Sequence, residues 1–417
     1  MRSDDPPNDE RAEPPHAELP RAELPRAELP RSQARTTDGT PPEPVISLVM
    51  PSLDTKPAEP PAPPRVPDVV EVEDLDWEAV RRAADPAAIR ARLTDTLDRV
   101  DALLDREGGL GFLFDAFRER PDDRAIHVTE LDPATPLWIV GDLHGDLLAL
   151  EAAVALARRS ADAPHFLFLG DLWDDGAYGV EVLLRVCELA AEAPERFRVI
   201  AGNHDEALGW NGEQFTATVS PSDFADGLNA RGDALEERAA RVGIRLFANA
   251  PRALFLPDGL LVAHGGFPLV DLHAELEASR DWNDPRALTD FVWTRAHPKS
   301  RRKMPNRASR GSQFGYEDFA DFCALAARLG RPITHMVRGH DHVEERWAVY
   351  PAYAAHPLLT TVALSRRLPR ESFGPFVRVP TVARWVSGAV PQVHRLHLPE
   401  AMIRELYPEE TEPEAEA

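Results

Sequence analysis

The central part of the chain repeats one pattern, in which a short apolar run ends in a glycine-flanked group of carboxylate, imidazole or amide side chains. The runs LWIV, HFLFL, FRVIA and LLVA precede four such motifs, and the shorter HMVR precedes a fifth. Each run is typical of a buried strand, and polar loops at strand ends can converge on one point at a sheet edge. The motifs are GDLHGD at 141–146, GDLWDDG at 170–176, GNHD at 202–205, HGG at 264–266 and GHDH at 339–342.

The spacing of the first three motifs predicts an α/β (α+β) fold. Asp142 and Asp171 are 29 residues apart, and Asp171 and Asn203 are 32 apart, so each interval fits one strand–helix crossover. Amphipathic helices are predicted near 147–160 and 179–192, between the strands. In the last third of the chain strands predominate. We therefore expect two facing mixed β-sheets flanked by helices.

Proline sets the expected limits of the folded part. Seventeen of the 40 prolines lie in residues 1–67, where HAELP and RAELP units repeat back to back. A five-residue repeat with a proline in every unit cannot build a packed core, so this region is predicted to be disordered. The expected organisation is a Pro-rich disordered arm at 1–70, one domain at 76–404 with helices at 76–106 and a mostly helical insertion at 213–243, and an acidic tail at 405–417.

The net charge of −23 argues against two classes of partner. A field this negative repels nucleic-acid backbones and anionic membrane surfaces. No apolar stretch is long enough to cross a bilayer, and the N-terminus lacks the pattern of a signal peptide, so a cytoplasmic location is predicted. Cys187 and Cys323 are expected to be buried apolar residues rather than a disulfide.

The donor types in the motifs suit a pair of divalent metals and a phosphate ester. Asp142 and His144, one residue apart on a loop, can reach one ion, and an aspartate such as Asp171 is a usual bridge between two ions. Asn203 offers a neutral oxygen, and imidazoles are common ligands of zinc, iron and manganese. The imidazole candidates are His264, His340 and His342. The alternative interpretation is a set of solvated loop aspartates and hydrogen-bonded core histidines.

In this order, the motifs resemble those of the calcineurin-like metallophosphoesterases, and more narrowly the phosphoprotein (serine/threonine) phosphatase family, over roughly residues 135–365. The resemblance implies the family's fold and two divalent ions, with Mn²⁺ expected and Fe or Zn as alternatives. It implies that Asp171 bridges the ions and that Asp142 and His144 bind one of them. The ligands implied for the other ion are Asn203, His264 and His340. His342 matches the second histidine of the broader superfamily's motif and is added to the first ion.

The resemblance also implies the chemistry, which is direct attack on phosphorus by a hydroxide that bridges the two ions. His204, paired with Asp174, would protonate the leaving alkoxide. Arg310 would bind phosphate, because a guanidinium fork is well shaped for two phosphate oxygens. Asn203 and Arg338 complete the implied phosphate contacts, and for Arg338 a structural ion pair is the alternative.

The sequence departs from the family pattern at three places. Asp175 stands where the family carries a phosphate-holding arginine, which should weaken binding of a dianionic phosphate unless another base compensates. Asp205 stands where protein phosphatases usually carry glutamate. The segment TVALS at 361–365 replaces the late SAPNY segment of eukaryotic members.

Three functions follow as hypotheses. The leading one is a phosphatase for phosphate monoesters, with phosphoserine or phosphothreonine in proteins as one substrate class. The second is a hydrolase of dinucleoside polyphosphates or other phosphodiesters, which Asp205 and the loss of arginine at position 175 favour. The third is a weakly active binding protein whose Pro-rich arm recruits partners.

Overall fold

The computed structural model describes residues 67–106, 111–160, 163–301, 304–305 (backbone only), 310–371 and 374–408, all within one compact unit. The predicted arm lies outside these residues except at its end. There the boundary at 70 is wrong, because a strand at Val69–Val72 pairs in parallel with a strand at Gln392–Leu396. The boundary at 405 is also wrong, because Tyr407 is buried in the domain. Residues 409–417 of the predicted tail lie outside the described part.

The strands of the described residues account for every predicted strand and add several short ones. In chain order they are β1 Val69–Val72, β2 Ala125–His127, β3 Leu137–Val140, β4 His165–Phe168, β5 Phe197–Val199, β6 Leu208–Trp210, β7 Phe215–Ala217, β8 Ala253–Phe255, β9 Leu260–Ala263, β10 Arg295–Ala296, β11 Met304–Pro305, β12 Ser312–Phe314, β13 His335–Arg338, β14 Trp347–Val349, β15 Leu358–Thr361, β16 Thr381–Trp385 and β17 Gln392–Leu396.

The helices follow the predicted alternation closely. They are α1 Trp77–Ala83, α2 Pro86–Arg90, α3 Leu93–Leu104, α4 Leu147–Ser160, α5 Gly179–Glu192, α6 Asn203–Ala207, α7 Asp223–Arg231, α8 Ala234–Asn249, α9 Val270–Ser279, α10 Pro285–Trp293, α11 Tyr316–Arg328 and α12 Glu400–Leu406. Short 3₁₀ helices occupy Gly111–Leu113, Asp115–Phe117, Pro257–Gly259 and Pro351–Tyr353.

The strands build two six-stranded mixed sheets, as predicted. The first has the order β1-β17-β16-β3-β4-β5, and the second has the order β14-β15-β13-β9-β8-β2. Strands β3, β4 and β5 are parallel neighbours in the first sheet, and β9, β13 and β15 are parallel neighbours in the second. The remaining strands form a hairpin, β6-β7, and a three-stranded sheet in the order β10-β12-β11.

The apolar runs form strands because both of their faces are covered. In β3, Leu137 and Ile139 join a core between the two sheets, whereas Trp138 and Val140 face a second core under the first sheet's helices. The residues of β9 divide in the same way between the central core and a third core under the second sheet's helices. This period of two, with both faces apolar, is what a strand between two covered faces requires. The layers are therefore helix, sheet, sheet and helix.

Local signals explain where several helices begin and end. Within the predicted helical segment 76–106, α2 begins after Asp85, whose carboxylate accepts hydrogen bonds from two backbone N–H groups, and Pro86 occupies the first turn. The predicted insertion at 213–243 is helical in α7 and α8, but it also contains β7.

Over the residues that the structure describes, no helix combines the length and apolar character needed to cross a bilayer.

The buried carboxylate of Asp146 ties the first motif to two distant parts of the chain. Its Oδ2 accepts hydrogen bonds from the backbone N–H and the hydroxyl of Ser365, each at 2.7 Å. Its Oδ1 accepts from the Tyr407 hydroxyl at 3.0 Å and from the Ala149 N–H at 2.9 Å. The end of α12 is thus connected to the loop that carries Asp142 and His144.

We expect Asp146→Ala to lower the free energy of unfolding by about 3 kcal/mol, because it leaves several buried donors without an acceptor. Denaturant unfolding of the variant and of an Asp122→Ala control, in which the side chain is exposed, measures the difference. A loss below about 1 kcal/mol would mean that water replaces the carboxylate at little cost.

Candidate metal centre

The five predicted motifs meet where the two sheets come together. Three of them follow β3, β4 and β5 at their carboxyl ends, and the other two follow β9 and β13. A backbone bridge between Asp142 and Val362 links the two sheets at this edge. Parallel strands direct their carboxyl ends to the same side, which is why residues far apart in sequence share this place. The six residues of the implied ligand set are all at most 2% exposed: Asp142, His144, Asp171, Asn203, His264 and His340.

The first group of donors is formed by Asp142, His144 and His342. The Nε2 atom of His342 lies 3.0 Å from Oδ2 of Asp142 and 3.2 Å from Nε2 of His144. The three donor atoms lie within 4.8 Å of one another and could hold one metal ion. This includes the histidine that the resemblance added from the broader superfamily.

The second group surrounds His264. Its Nε2 lies 3.1 Å from Oδ1 of Asn203, 3.2 Å from Nδ1 of His340 and 3.2 Å from Oδ2 of Asp171. A single ring nitrogen carries at most one proton, so it cannot hydrogen-bond to three neighbours at once. Spacings near 3 Å are instead those of adjacent ligands around a cation with bonds of about 2.1 Å.

The carboxylate of Asp171 lies between the two groups. Its Oδ2 is 3.7 Å from Nε2 of His144 and 3.2 Å from Nε2 of His264. Its other oxygen, Oδ1, accepts a hydrogen bond from the backbone N–H of His204 at 2.8 Å. This bond orients the carboxylate so that one oxygen is directed at both groups.

Hydrogen bonds from outside the groups fix the tautomers of two histidines. Nδ1 of His144 lies 3.0 Å from the carbonyl oxygen of Trp173, and Nδ1 of His264 lies 3.0 Å from that of Leu169. A carbonyl oxygen only accepts, so each Nδ1 carries a proton, and Nε2 is the nitrogen of each ring that is left to bind a metal. Such outer contacts are typical of metal-binding histidines.

The backbone approaches the carboxylates closely at two glycines. A Cβ at Gly339 would lie 2.1 Å from Oδ1 of Asp142, and one at Gly202 would lie 2.2 Å from Oδ1 of Asp171. Only glycine fits at these distances. His144, Asp171 and His340 adopt the left-handed backbone conformation, with φ of 40°, 51° and 69°. Strained backbone at non-glycine residues is concentrated at functional sites.

Three of the histidines have pKa values low enough to keep their rings neutral, which favours metal binding. Burial lowers the pKa of His144 and of His340 well below the ordinary value. Burial also lowers the pKa of His342 to about 4, although its hydrogen bond to Asp142 opposes the change. These rings are therefore neutral, which is the form that binds a cation.

For His264 and Asp171, the charges of neighbouring groups outweigh the effect of burial on the pKa. Burial opposes a charge on His264, yet the carboxylates of Asp171 and Asp142 raise its pKa to about 9. Burial likewise opposes ionisation of Asp171, yet His264 and His204 lower its pKa well below the ordinary value. Without a cation, the proton on His264 supplies the positive charge that the two aspartates require. The residues thus fit a pair of divalent metals in their number, donor type and charge.

His204 and Asp174 form a pair beside these groups. Nδ1 of His204 lies 2.8 Å from Oδ2 of Asp174, and Oδ1 of Asp174 accepts from the backbone N–H of Phe224 at 2.9 Å. Burial alone would lower the pKa of His204, but the carboxylates of Asp171 and Asp174 outweigh it and raise that pKa. The ring can therefore hold a proton next to the candidate metal centre.

The two predicted phosphate-binding arginines do not share one environment. Arg338 is completely buried, and its guanidinium bonds to the carbonyl of Gly265, to Asp341 at 2.5 Å and to the hydroxyl of Thr360 at 3.1 Å. These contacts are those of a structural ion pair, which was the alternative interpretation of Arg338. Arg310 is exposed and lies over the ring of Trp293, 5.3 Å from its centroid.

Asp205, one of the departures from the family pattern, has a structural role. Its carboxylate accepts hydrogen bonds from the backbone N–H groups of Gly202, Asp171 and Leu172 at 2.9, 2.6 and 3.1 Å. It therefore fastens the loop after β4 to the loop after β5. Burial, together with the charge of Asp171, raises the pKa of Asp205 to about 7. The short side chain of aspartate is suited to this position between two loops.

Arg370, which lies at the first donor group, was not among the predicted site residues. A cavity of about 410 Å³ opens there, lined by Arg295, His340, His342, Glu344, Arg370, Glu371 and Arg378. The signal in the sequence was the segment SRRLPR at 365–370, a cluster of arginines in an acidic chain, at the place where the family's late segment is replaced.

Serine/threonine-protein phosphatases are among the known proteins that this chain resembles. The chain is 27% identical over 212 residues to the serine/threonine-protein phosphatase 6 catalytic subunit of Drosophila melanogaster, covering 49% of this chain and 64% of that protein. It is 24% identical over 200 residues to human serine/threonine-protein phosphatase 5, covering 45% of this chain and 36% of that protein. The match thus spans less than two thirds of the length of either relative.

A solved protein serine/threonine phosphatase from Saccharomyces cerevisiae, described as similar to human phosphatase PP5, superposes with a TM-score of 0.49 at 16% identity, over 73% of this chain and 89% of that one. The family model for calcineurin-like phosphoesterases matches residues 135–344, which is half of the chain and contains all five motifs. This chain belongs to the calcineurin-like phosphoesterase family.

Proposed function

We propose that this chain is a metal-dependent phosphoric ester hydrolase that acts on phosphate monoesters. The observation that carries the proposal is the position of Asp171 Oδ2 between two groups of metal-type donors, 3.7 Å from one histidine nitrogen and 3.2 Å from another. Asp142, His144 and His342 would hold one divalent ion, and Asn203, His264 and His340 the other. When bound, two such ions activate a water molecule and stabilise the charge that develops on the phosphoryl oxygens.

The residues beside the donor groups supply the rest of the proposed chemistry. His204, oriented through Nδ1 by Asp174, would donate the proton on Nε2 to the oxygen that leaves phosphorus. The cavity over the first donor group is lined by three arginines and two glutamates, and this excess of positive charge favours an anionic substrate. Phosphoserine and phosphothreonine in proteins are the proposed physiological class, because the named relatives are serine/threonine-protein phosphatases. Mn²⁺ is the proposed metal.

The alternative of a phosphodiester or dinucleoside polyphosphate hydrolase was favoured by Asp205 and by the missing arginine at position 175. The Asp175 carboxylate forms an ion pair with Arg370 at 2.8 Å, so its negative charge is neutralised within the site. The expected repulsion of a dianionic monoester is therefore reduced. The alternative remains as a separate outcome of the experiment below.

The test is a substrate panel on protein stripped with a chelator and then reloaded with Mn²⁺, Fe²⁺ or Zn²⁺. The panel contains a phosphoserine peptide, p-nitrophenyl phosphate, its bis-ester and diadenosine tetraphosphate. We expect turnover only after reloading, two ions per chain, and a kcat/KM for the monoesters at least about 100-fold above the bis-ester, a difference of about 2.7 kcal/mol in activation free energy.

The same panel distinguishes the three hypotheses. Preference for diadenosine tetraphosphate or the bis-ester would replace the proposal by the second hypothesis. Absence of turnover on every substrate, with both ions bound, would favour a binding protein. Undiminished turnover in the stripped protein would refute the metal dependence.

A further inference from the structure

We propose that Arg370 is a phosphate-binding arginine of this site and that Asp175 is the residue that positions it. The inference rests on the proposed function and deepens it. It explains why the second motif carries a carboxylate at position 175 in place of the family's arginine. The positive charge expected at position 175 would come instead from a different loop. The carboxylate that stands there would hold that charge in place.

The first argument is the position of one guanidinium nitrogen. Nη2 of Arg370 lies 2.8 Å from Oδ2 of Asp175, 3.3 Å from Nε2 of His144 and 3.4 Å from Nδ1 of His342. The guanidinium therefore borders the first donor group. A phosphate held by a metal in that group would lie next to this cation.

The second argument is the number of donors that remain available. A guanidinium carries five N–H groups. Among the residues that the structure describes, Nε and Nη1 of Arg370 have no hydrogen-bond partner, and 34% of its side chain is exposed. Two parallel N–H groups on a guanidinium are suited to two phosphate oxygens. The pair with Asp175 therefore leaves Arg370 free to bind an anion.

The other arginines of the cavity are already engaged. Arg295 donates to the carbonyl of His340 at 2.7 Å and pairs with Asp341 at 3.1 Å. Arg378 is 6% exposed and pairs with Glu344 at 3.4 Å. These contacts assign Arg295 and Arg378 to the walls of the cavity. Arg370 is the cavity arginine whose guanidinium lies within 3.4 Å of ring nitrogens of the first donor group.

The third argument is that contacts within the loop restrain the backbone on both sides of Arg370. Glu371, the next residue, forms an ion pair with the fully buried Arg346. Its carboxylate also accepts from the backbone N–H of Leu368 at 3.1 Å, while its own N–H donates to the Leu368 carbonyl at 2.9 Å. Leu368 is buried. The turn is thus fastened on both sides of Arg370, which lowers the entropic cost of presenting its side chain.

A buried arginine connects the same loop to the donor groups. Arg366 donates to the carbonyl oxygen of His144 at 2.8 Å and to that of Asp175 at 3.1 Å. The segment from Arg366 to Arg370 therefore keeps a fixed position relative to the first and second motifs. A loop with no such contacts would not place a guanidinium within 3.4 Å of three groups.

The direct test measures binding of inorganic phosphate by calorimetry to Mn²⁺-loaded protein, with metal content determined for each variant. We expect Arg370→Ala to raise the Kd for phosphate about 10- to 100-fold while both ions are retained. Arg367→Ala is the matched control, since Arg367 lies on the same loop and donates to the carbonyl of Gly374, and it should bind phosphate as the wild type does.

The positioning role of Asp175 is tested by exchanging the two charges. Arg370→Asp places two carboxylates together and should raise the Kd more than 100-fold, because a repulsion replaces an attraction. Adding Asp175→Arg restores the pair in reverse order and should bring the Kd back to within about 10-fold of the wild type. Failure of the double variant to recover would refute the pairing.

These measurements separate the inference from the proposed function. Equal phosphate binding by wild type and Arg370→Ala, or no phosphate binding by the wild type, would overturn the role of Arg370. Loss of a metal ion in Arg370→Ala would also overturn it, because the effect would then act through the metal. A wild type that binds phosphate through Arg370 but hydrolyses no ester would contradict only the proposed function.

Discussion

Replacing Asp171 with asparagine should remove at least one of the two metal ions and lower kcat on phosphate monoesters by about 1,000-fold or more. Asp171 Oδ2 lies near donors of both groups, so one side chain serves both ions. Asparagine keeps the size of the side chain but loses the negative charge. That charge is what lowers the cost of placing two divalent cations in a buried site.

The variant separates the metal centre from the fold. Asparagine can still accept the hydrogen bond from the backbone N–H of His204, so the loop after β4 should keep its conformation. Metal content per chain, kcat and the thermal midpoint in excess chelator are the measurements. Asp132→Asn, on an exposed loop, is the control. An Asp171→Asn protein with two ions and a kcat within tenfold of the wild type would refute the bridging role.

The arrangement of the donor residues could be predicted from the sequence because it follows from the position of each motif directly after a strand. Each motif comes directly after an apolar run, and parallel strands bring their carboxyl ends to one edge. Asp142, Asp171 and Asn203 are placed by three neighbouring strands of one sheet, and His264 and His340 by two neighbouring strands of the other. The strand pattern alone indicates that these groups meet. It does not give their distances.

The contacts of Arg370 and Arg338 could not be predicted in the same way. Arg370 reaches the site from a turn whose position depends on a buried ion pair between Glu371 and Arg346. Arg338 follows the family pattern in sequence, yet Asp341 and Thr360 occupy its donors. Whether an arginine is free or engaged depends on side chains brought together only by the tertiary fold, and the motif does not encode it.

The boundaries of the domain could not be predicted from the local sequence either, because they depend on partners far away in the chain. The four residues of β1 have little signal of their own, and they are ordered by pairing with β17 at the other end of the chain. Tyr407 follows a short helix in an acidic sequence, and its burial depends on Asp146 and on the guanidinium of Arg366, 5.0 Å from its ring centroid. Composition predicts average properties of a segment, whereas these residues are held by single distant partners.

Replacing His204 with alanine should leave both metals in place and lower kcat on a phosphoserine peptide by about 100- to 10,000-fold, the usual range for loss of a general acid. The backbone N–H of residue 204, which bonds to Asp171 at 2.8 Å, survives the substitution. Its carbonyl, which accepts from the indole of Trp173 at 3.3 Å, survives as well. The variant therefore removes the imidazole without disturbing the donor groups.

The leaving group distinguishes a proton donor from a residue that only supports the site. An alkoxide such as that of serine leaves poorly without a proton, whereas p-nitrophenolate is stable enough to leave without one. His204→Ala should therefore lose far more activity on the phosphoserine peptide than on p-nitrophenyl phosphate. Asp174→Asn should show the same preference to a smaller degree, because it weakens the orientation of the ring and leaves the ring present. Equal losses on both substrates would assign His204 to phosphate binding, and loss of metal would make it a ligand. The difference between the two substrates thus tests the step at which this side chain acts.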